Sequence, residues 1–200
     1  MKRLFSTFLA LSLLATTAIA SGGDEEGRLK VNTKTSTLNW KGSKITGSSH
    51  GGTIAIKGGT VEMQKGMVAN ARVTVDMNSI AVTDDMGADM QDKLIGHLQS
   101  PDFFNTVEHG ESHFVLKAFK KDERAGYVVS GTLTIKGISN DISFPARAAV
   151  NEDKVIIDAK FSFDRAKYDV RYGSGSFFDN LGDNMINDDV EMVLHLEATK

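Results

Sequence analysis

The segment Gly47-Ser48-Ser49-His50-Gly51 satisfies Gly-x-Ser-x-Gly, the spacing found around the nucleophile of many serine hydrolases, and Gly52 extends it toward an oxyanion loop. That chemistry needs a strand, a strained turn and then a helix, so that the serine is aimed at its histidine. Here the sequel Thr53-Ile54-Ala55-Ile56-Lys57 reads as a strand, so the segment is expected to be a glycine-rich hairpin edge. A lipid-ester hydrolase working through Ser49 stays as the alternative. Five histidines raise the question of a metal. His109 and His113 are four apart, which on a strand is roughly 13 Å, too far to share one ion. His97 falls near the end of a predicted helix, where a partly charged imidazole is favoured by the helix dipole, and His195 falls on the wet face of a strand. His50, at a glycine-rich strand end, has a hydrogen-bonded structural role as one reading. The acidic run from Asp179 to Asp189 lacks the ligand spacing of a calcium loop. No glycine-rich phosphate loop or dinucleotide fingerprint precedes a helix. No catalytic residue, metal or cofactor is therefore expected.

Composition narrows the field further. The 200 residues contain no cysteine, which excludes disulfides, thiolate zinc sites and cysteine nucleophiles. A net charge of −3 argues against nucleic acid as a partner, since phosphate contacts need clustered Lys and Arg. Nineteen glycines and only two prolines point to many tight turns and lean toward β structure.

Residues 1–20 carry Lys2 and Arg3, an apolar run from Leu4 to Leu14, and the small-residue exit Ala18-Ile19-Ala20. That is the pattern of a cleaved secretory signal. A membrane span is not expected, because a spanning helix needs about twenty mainly apolar residues and Ser12, Thr16 and Thr17 interrupt this run. Residues 21–28 read as a flexible leader, and residues 29–200 as one domain. The expected location is the periplasm or the medium.

From Leu29 onward the apolar residues recur with period two. One series holds Trp40, another Val73 and Val75, a third Leu133 and Ile135. Phe144, the pair Phe161 and Phe163, and the pair Met192 and Leu194 belong to three more. Each strand thus offers one apolar and one wet face, the signature of antiparallel sheets. The punctuation is Gly58-Gly59, Lys65-Gly66, Ala125-Gly126, Lys136-Gly137 and Asn151 to Asp153. Short connections imply a meander, and about eight such strands can close on themselves, which removes exposed edges. The fold expected is an all-β, up-and-down antiparallel barrel of about eight strands with one short amphipathic helix over Asp84–Gln99, stopped by Pro101. The stretch Lys167–Asp189 is long for a loop and is expected to act as a lid. An eight-stranded barrel is either filled by its own side chains or holds one small ligand, and composition alone favours the filled interior, since aromatic stripes are usually core. A filled barrel would make this a structural or stress-response interaction protein.

Seven phrases in order resemble the YceI-like family of secreted, lipocalin-like barrels associated with polyisoprenoid and lipid binding. They are Ser36 to Gly42, Gly47 to Gly52, Val73 to Ile80, His97 to Phe104, Gly131 to Ile138, Arg171 to Ser176 and Ile186 to Val190. The resemblance covers nearly all of residues 29–200. It implies a barrel cavity for a long-chain isoprenoid or similar lipid, carried or sequestered without a covalent step. The inward series then become the cavity lining: Trp40, Val73, Val75, Leu133, Ile135, Phe144, Phe161, Phe163, Met192 and Leu194. Phe103 and Phe104 are expected to line or cover the open end, with Phe177 and Phe178 as lid residues. His50, Arg171 and Tyr172 are the head-group candidates. Arginine grips phosphate bidentately, so an isoprenyl phosphate is a reasonable guest. The partner expected is this lipid, and a homodimer is the further association considered.

Overall fold

The computed structural model describes residues 27–200; the expected signal and most of the expected leader lie outside the described residues. The strands are β1 (Arg28–Val31), β2 (Thr37–Ser43), β3 (Ser49–Ile54), β4 (Ile56–Gln64), β5 (Met67–Asp76), β6 (Ala81–Val82), β7 (Glu111–Asp122), β8 (Gly126–Ile135), β9 (Ile138–Val150), β10 (Lys154–Asp164) and β11 (Asp189–Thr199). One α-helix, α1 (Ala88–Gln99), lies between β6 and β7. Arg28, read from sequence as leader, already pairs with Glu62 in the sheet.

Pairing runs β1-β4-β5-β7-β8-β9-β10-β11 and closes from β11 back to β1, an antiparallel barrel of eight strands. β2, β3 and β6 prolong β1, β4 and β5 past a break in each, so the wall consists of eight long staves. The break at residues 32–36 docks on β11: Asn32 N–H donates to Glu197 O at 2.8 Å, and Glu197 N–H donates to Ser36 Oγ at 3.0 Å. The turns at Lys65-Gly66 and Lys136-Gly137 have positive φ at both residues, the type I′ geometry that matches the twist of the flanking strands.

Two sequence expectations change. Gly58-Gly59 is not a turn but lies inside β4, beside a register irregularity between Ile56 and Gly58. A Cβ on Gly59 would stand 2.5 Å from Arg72 O and 2.9 Å from Val31 Cγ2, so the residue is small because neighbouring strands press on it. The helix begins at Ala88 rather than Asp84, behind Gly87 with φ 81°. Asp84 is held elsewhere: its carboxylate accepts from Gly51 N–H and lies 2.8 Å from His50 Nδ1, and its carbonyl accepts from Gln91 Nε2.

The buried core has a bottom and a top. At the bottom Leu29, Val31, Val61, Val155, Leu196 and Ala198 pack the barrel shut. At the top Met77, Ile80, Leu98, Phe103 and Tyr168 bring α1 and the loops down onto the strand ends. One stretch of wall is thin. β9 and β10 pair only from Val150↔Val155 to Arg147↔Asp158, although both strands continue for six or more residues.

Candidate functional site: an apolar cavity in the barrel

Alternation along each stave sends every second side chain inward, and these inward residues do not fill the bore. They surround a cavity of about 190 Å³. One water needs about 10–15 Å³ by the comparable measure, so the space is an order of magnitude larger. The structure places Trp40, Val73, Val75, Phe103, Phe104, Leu133, Ile135, Phe144, Phe161, Phe163, Met192 and Leu194 along its wall. Sequence reasoning missed other parts of the lining, among them Ile54 and the inward series Ser112, Phe114 and Leu116 on β7. That last series shows the same period of two. Gly131 makes room for Phe114, whose ring lies where a Cβ at 131 would have to be.

Aromatic contacts between three segments gather at the top. His97, in the last turn of α1, meets Phe103 edge-on at 5.0 Å and Tyr172 edge-on at 4.4 Å. Phe103 and Phe104 contribute to the lining below. Trp40 is fixed by donating from Nε1 to Ala81 O at 3.2 Å, which ties β2 to β6 across β3.

The polar candidates lie outside the lining. His50 is half exposed beside Asp84. Arg171 is exposed, with its guanidinium against Asp169 and 5.0 Å from the Phe177 ring centre. Tyr172 is 47% exposed. None of the three is among the residues lining the cavity, and neither are Phe177 and Phe178. Phe177 thus shelters Arg171 rather than the bore. Ser49 opens β3 opposite Ser43, and a strand rather than a helix follows it, so the nucleophile-elbow geometry is not built. Among the described residues no group of three or more His, Asp or Glu side chains is placed to hold a metal ion.

A residue that sequence reasoning passed over organises the top. Arg165, just after β10, is 2% exposed and also reaches the cavity wall. Its Nε donates to Asn187 O, its Nη1 to Val170 O and Tyr172 O, and its Nη2 to Ile186 O, at 2.9–3.1 Å. Asp188 Oδ1 stands 3.3 Å from Nη2, close enough to neutralise the charge although not aligned as a hydrogen bond. Burial pulls the Arg165 pKa down, while Asp188 and Asp164 oppose that shift. The long segment between β10 and β11 is therefore strapped to one guanidinium by its own carbonyls. A lone arginine in sequence carries no sign of this, because the five partners converge only in the fold.

With that geometry in view, residues 29–198 match the YceI-like domain. The chain belongs to the YceI-like family. Among solved structures it is similar to BcnA of Burkholderia cenocepacia, with TM-score 0.63 and 22% identity over 84% of this chain and 99% of that one. A polyisoprenoid binding domain from Saccharophagus degradans, implicated in plant cell wall breakdown, gives TM-score 0.58 and 17% identity over 86% and 98%. The YceI protein of Campylobacter jejuni gives TM-score 0.53 and 16% identity over 99% and 91%. At these identities the likenesses establish the YceI-like barrel fold. No curated protein matches the chain. Among the described residues no helix is long and apolar enough to cross a membrane.

Proposed function

We propose that this YceI-like protein binds a long-chain polyisoprenoid or similar amphiphile inside the barrel and carries or sequesters it. The observation that carries the reading is a 190 Å³ cavity walled almost wholly by hydrocarbon, shut at the bottom and capped by aromatic residues at the top. An apolar space of this kind stays dry and rewards an apolar occupant. Each Å² of chain leaving water contributes about 25 cal/mol, so a long tail binds tightly with few polar contacts. The polyisoprenoid-binding domain of similar fold from Saccharophagus degradans supports the same reading.

No covalent step is proposed. The cavity lining contains no carboxylate or imidazole, so paired acid and base groups for turnover are missing from it. The tail lies toward Val61 and Leu196 and the head under α1. The first twenty residues act as a cleaved export signal, which delivers the protein to the periplasm or the medium. Protein purified from its own host is expected to show a lipid adduct in native mass spectrometry and an amphiphile on solvent extraction. Its mature N-terminus is expected near Ser21. Recovery of lipid-free protein that also fails to take up any prenyl lipid refutes the reading.

A further inference from the structure

The β9–β10 ladder stops at Arg147↔Asp158, and the next tie between the two sides is Asn140 Nδ2, which donates to Lys167 O at 3.0 Å. A second tie, from Lys136 Nζ to Asp169 O at 2.7 Å, holds the tip of the β8–β9 hairpin. Between these limits the two strands make no pairing among the described residues. In continued register Phe144 falls opposite Phe161 and Ser143 opposite Ser162. The two rings do stack there, 4.3 Å between centroids, and both also line the cavity. A slot in the wall is thus shut by side chains that face the bore.

Other ways in are held more firmly. At the floor Leu29, Val155 and Ala198 are wholly buried. At the top four carbonyls strap the segment between β10 and β11 to the Arg165 guanidinium. β5 and β7 also stop pairing, beyond Arg72↔Val115. There, however, Ala71, Leu116 and Phe119 pack on the floor cluster that holds Val61 and Val68. Opening that seam dismantles core. Opening the slot turns two rings and breaks no strand pairing, and side-chain rotation is far faster than collective motion of paired strands.

We infer, resting on the lipid-binding reading above, that the guest enters and leaves the bore sideways between β9 and β10, with Phe144 and Phe161 as the gate. A chain-like guest suits this route, because it can thread a long narrow gap tail first and replace ring-on-ring contact with its own. A gate alters the barrier common to entry and exit, not the energies of the free and bound states. Its signature is therefore kinetic: both rates change together and Kd stays.

The test uses delipidated mature protein, in which no native cysteine interferes. Paired substitutions bridged by one short bifunctional thiol reagent pin each route in turn. Ser143→Cys with Ser162→Cys spans the slot, His97→Cys with Tyr172→Cys the top, and Asn70→Cys with Lys117→Cys the β5–β7 seam. Stopped-flow binding and release of a fluorescent fatty acid give the two rate constants, and titration gives Kd. Bridging the slot is expected to slow both rates about tenfold or more and to leave Kd within about twofold of the unbridged variant. Pro145→Val, which returns a backbone N–H to the edge of the slot, is expected to slow both rates without any bridge. Rates unchanged by the slot bridge, or equal slowing by the top or β5–β7 bridge, overturn the side entrance. A slot bridge that weakens Kd as much as it slows entry overturns the gate and leaves the two rings as lining. If the wild type binds neither this probe nor a prenyl alcohol, the lipid-binding reading itself falls and the entrance with it.

Discussion

Phe144 on β9 and Phe161 on β10 stack with ring centroids 4.3 Å apart and planes within 14° of parallel, beyond the point at which their strands stop pairing. The reason lies next door. The Lys136-Gly137 turn makes Ile135 and Ile138 a hydrogen-bonded pair, so Val128 and Pro145 form a non-hydrogen-bonded one. The backbone of residue 145 therefore faces β10, where the next rung would join it to Lys160. Proline has no N–H to give, and the ladder ends at Arg147↔Asp158. Above that rung the two rings hold the wall together by packing.

Pro145→Val restores the missing donor at a position whose side chain already points outward. Amide hydrogen exchange at Lys160 and Ser162 is expected to slow by about tenfold as the ladder extends. Global stability should move by less than about 1 kcal/mol, since the new bond is offset by a more flexible unfolded chain. Unchanged exchange at both amides would show that something other than proline opens the seam.

Gly131→Ala tests whether the bore is kept open by a missing side chain. A Cβ there would sit 2.5 Å from Val115 O and 2.6 Å from Phe114 Cε2. The carbonyl cannot rotate away, so the strand must shift or the ring must swing across the cavity. Such overpacking costs about 1–3 kcal/mol, to be read by urea denaturation, and probe binding should weaken in parallel. A variant with wild-type stability and binding would contradict the placement of Phe114.

Period two made the barrel legible, because an antiparallel wall with one wet face writes itself into alternate residues, as in Val155, Ile157, Ala159, Phe161 and Phe163. The strand residues along the cavity wall share that phase, whereas Phe103 and Phe104 come from the loop after α1. Less legible were features set by contacts between strands. A glycine pair signals a turn in isolation, yet the pair lies inside β4, where Gly59 serves close approach to β5 and β1. Pro145 was visible as a proline within an alternating run, a sign of an unpaired strand edge, and that signal went unused. Arg171 and Arg165 lie six residues apart in one segment, and nothing local tells which is buried. The answer depends on carbonyls gathered from Val170, Tyr172, Ile186 and Asn187.

Arg165→Met removes that gathering point. Four carbonyls lose a donor and the Asp188 carboxylate is left beside an apolar side chain, a change expected to cost about 3–5 kcal/mol. Adding Asp188→Asn should recover part of the loss by removing the orphaned charge. The sites of limited proteolysis are expected to fall within residues 172–186 in the single variant and to be protected in the wild type. Comparable stability of Arg165→Met and wild type, measured by chemical denaturation, would show that the strap is dispensable.

Tyr168 gives a pH signature. Its ring is buried against Phe163, its hydroxyl has no partner, and burial, reinforced by Asp164 and Asp141, pushes its pKa up to about 12 from 10. A proton held more tightly in the folded state means that the unfolded chain releases it first as pH rises. Its contribution to stability is therefore complete below pH 10 and is lost as pH climbs through 12, by about 2–3 kcal/mol in all. Tyr168→Phe has no proton to lose. Near neutral pH it should be as stable as wild type or slightly more so, because an unpartnered buried hydroxyl is gone. The gap in unfolding free energy between variant and wild type should then widen in the variant's favour from pH 10 to pH 12. Lysines titrate in both proteins and cancel in that difference. A gap that stays constant over this range would mean that the phenol ionises in the folded protein as it does in water.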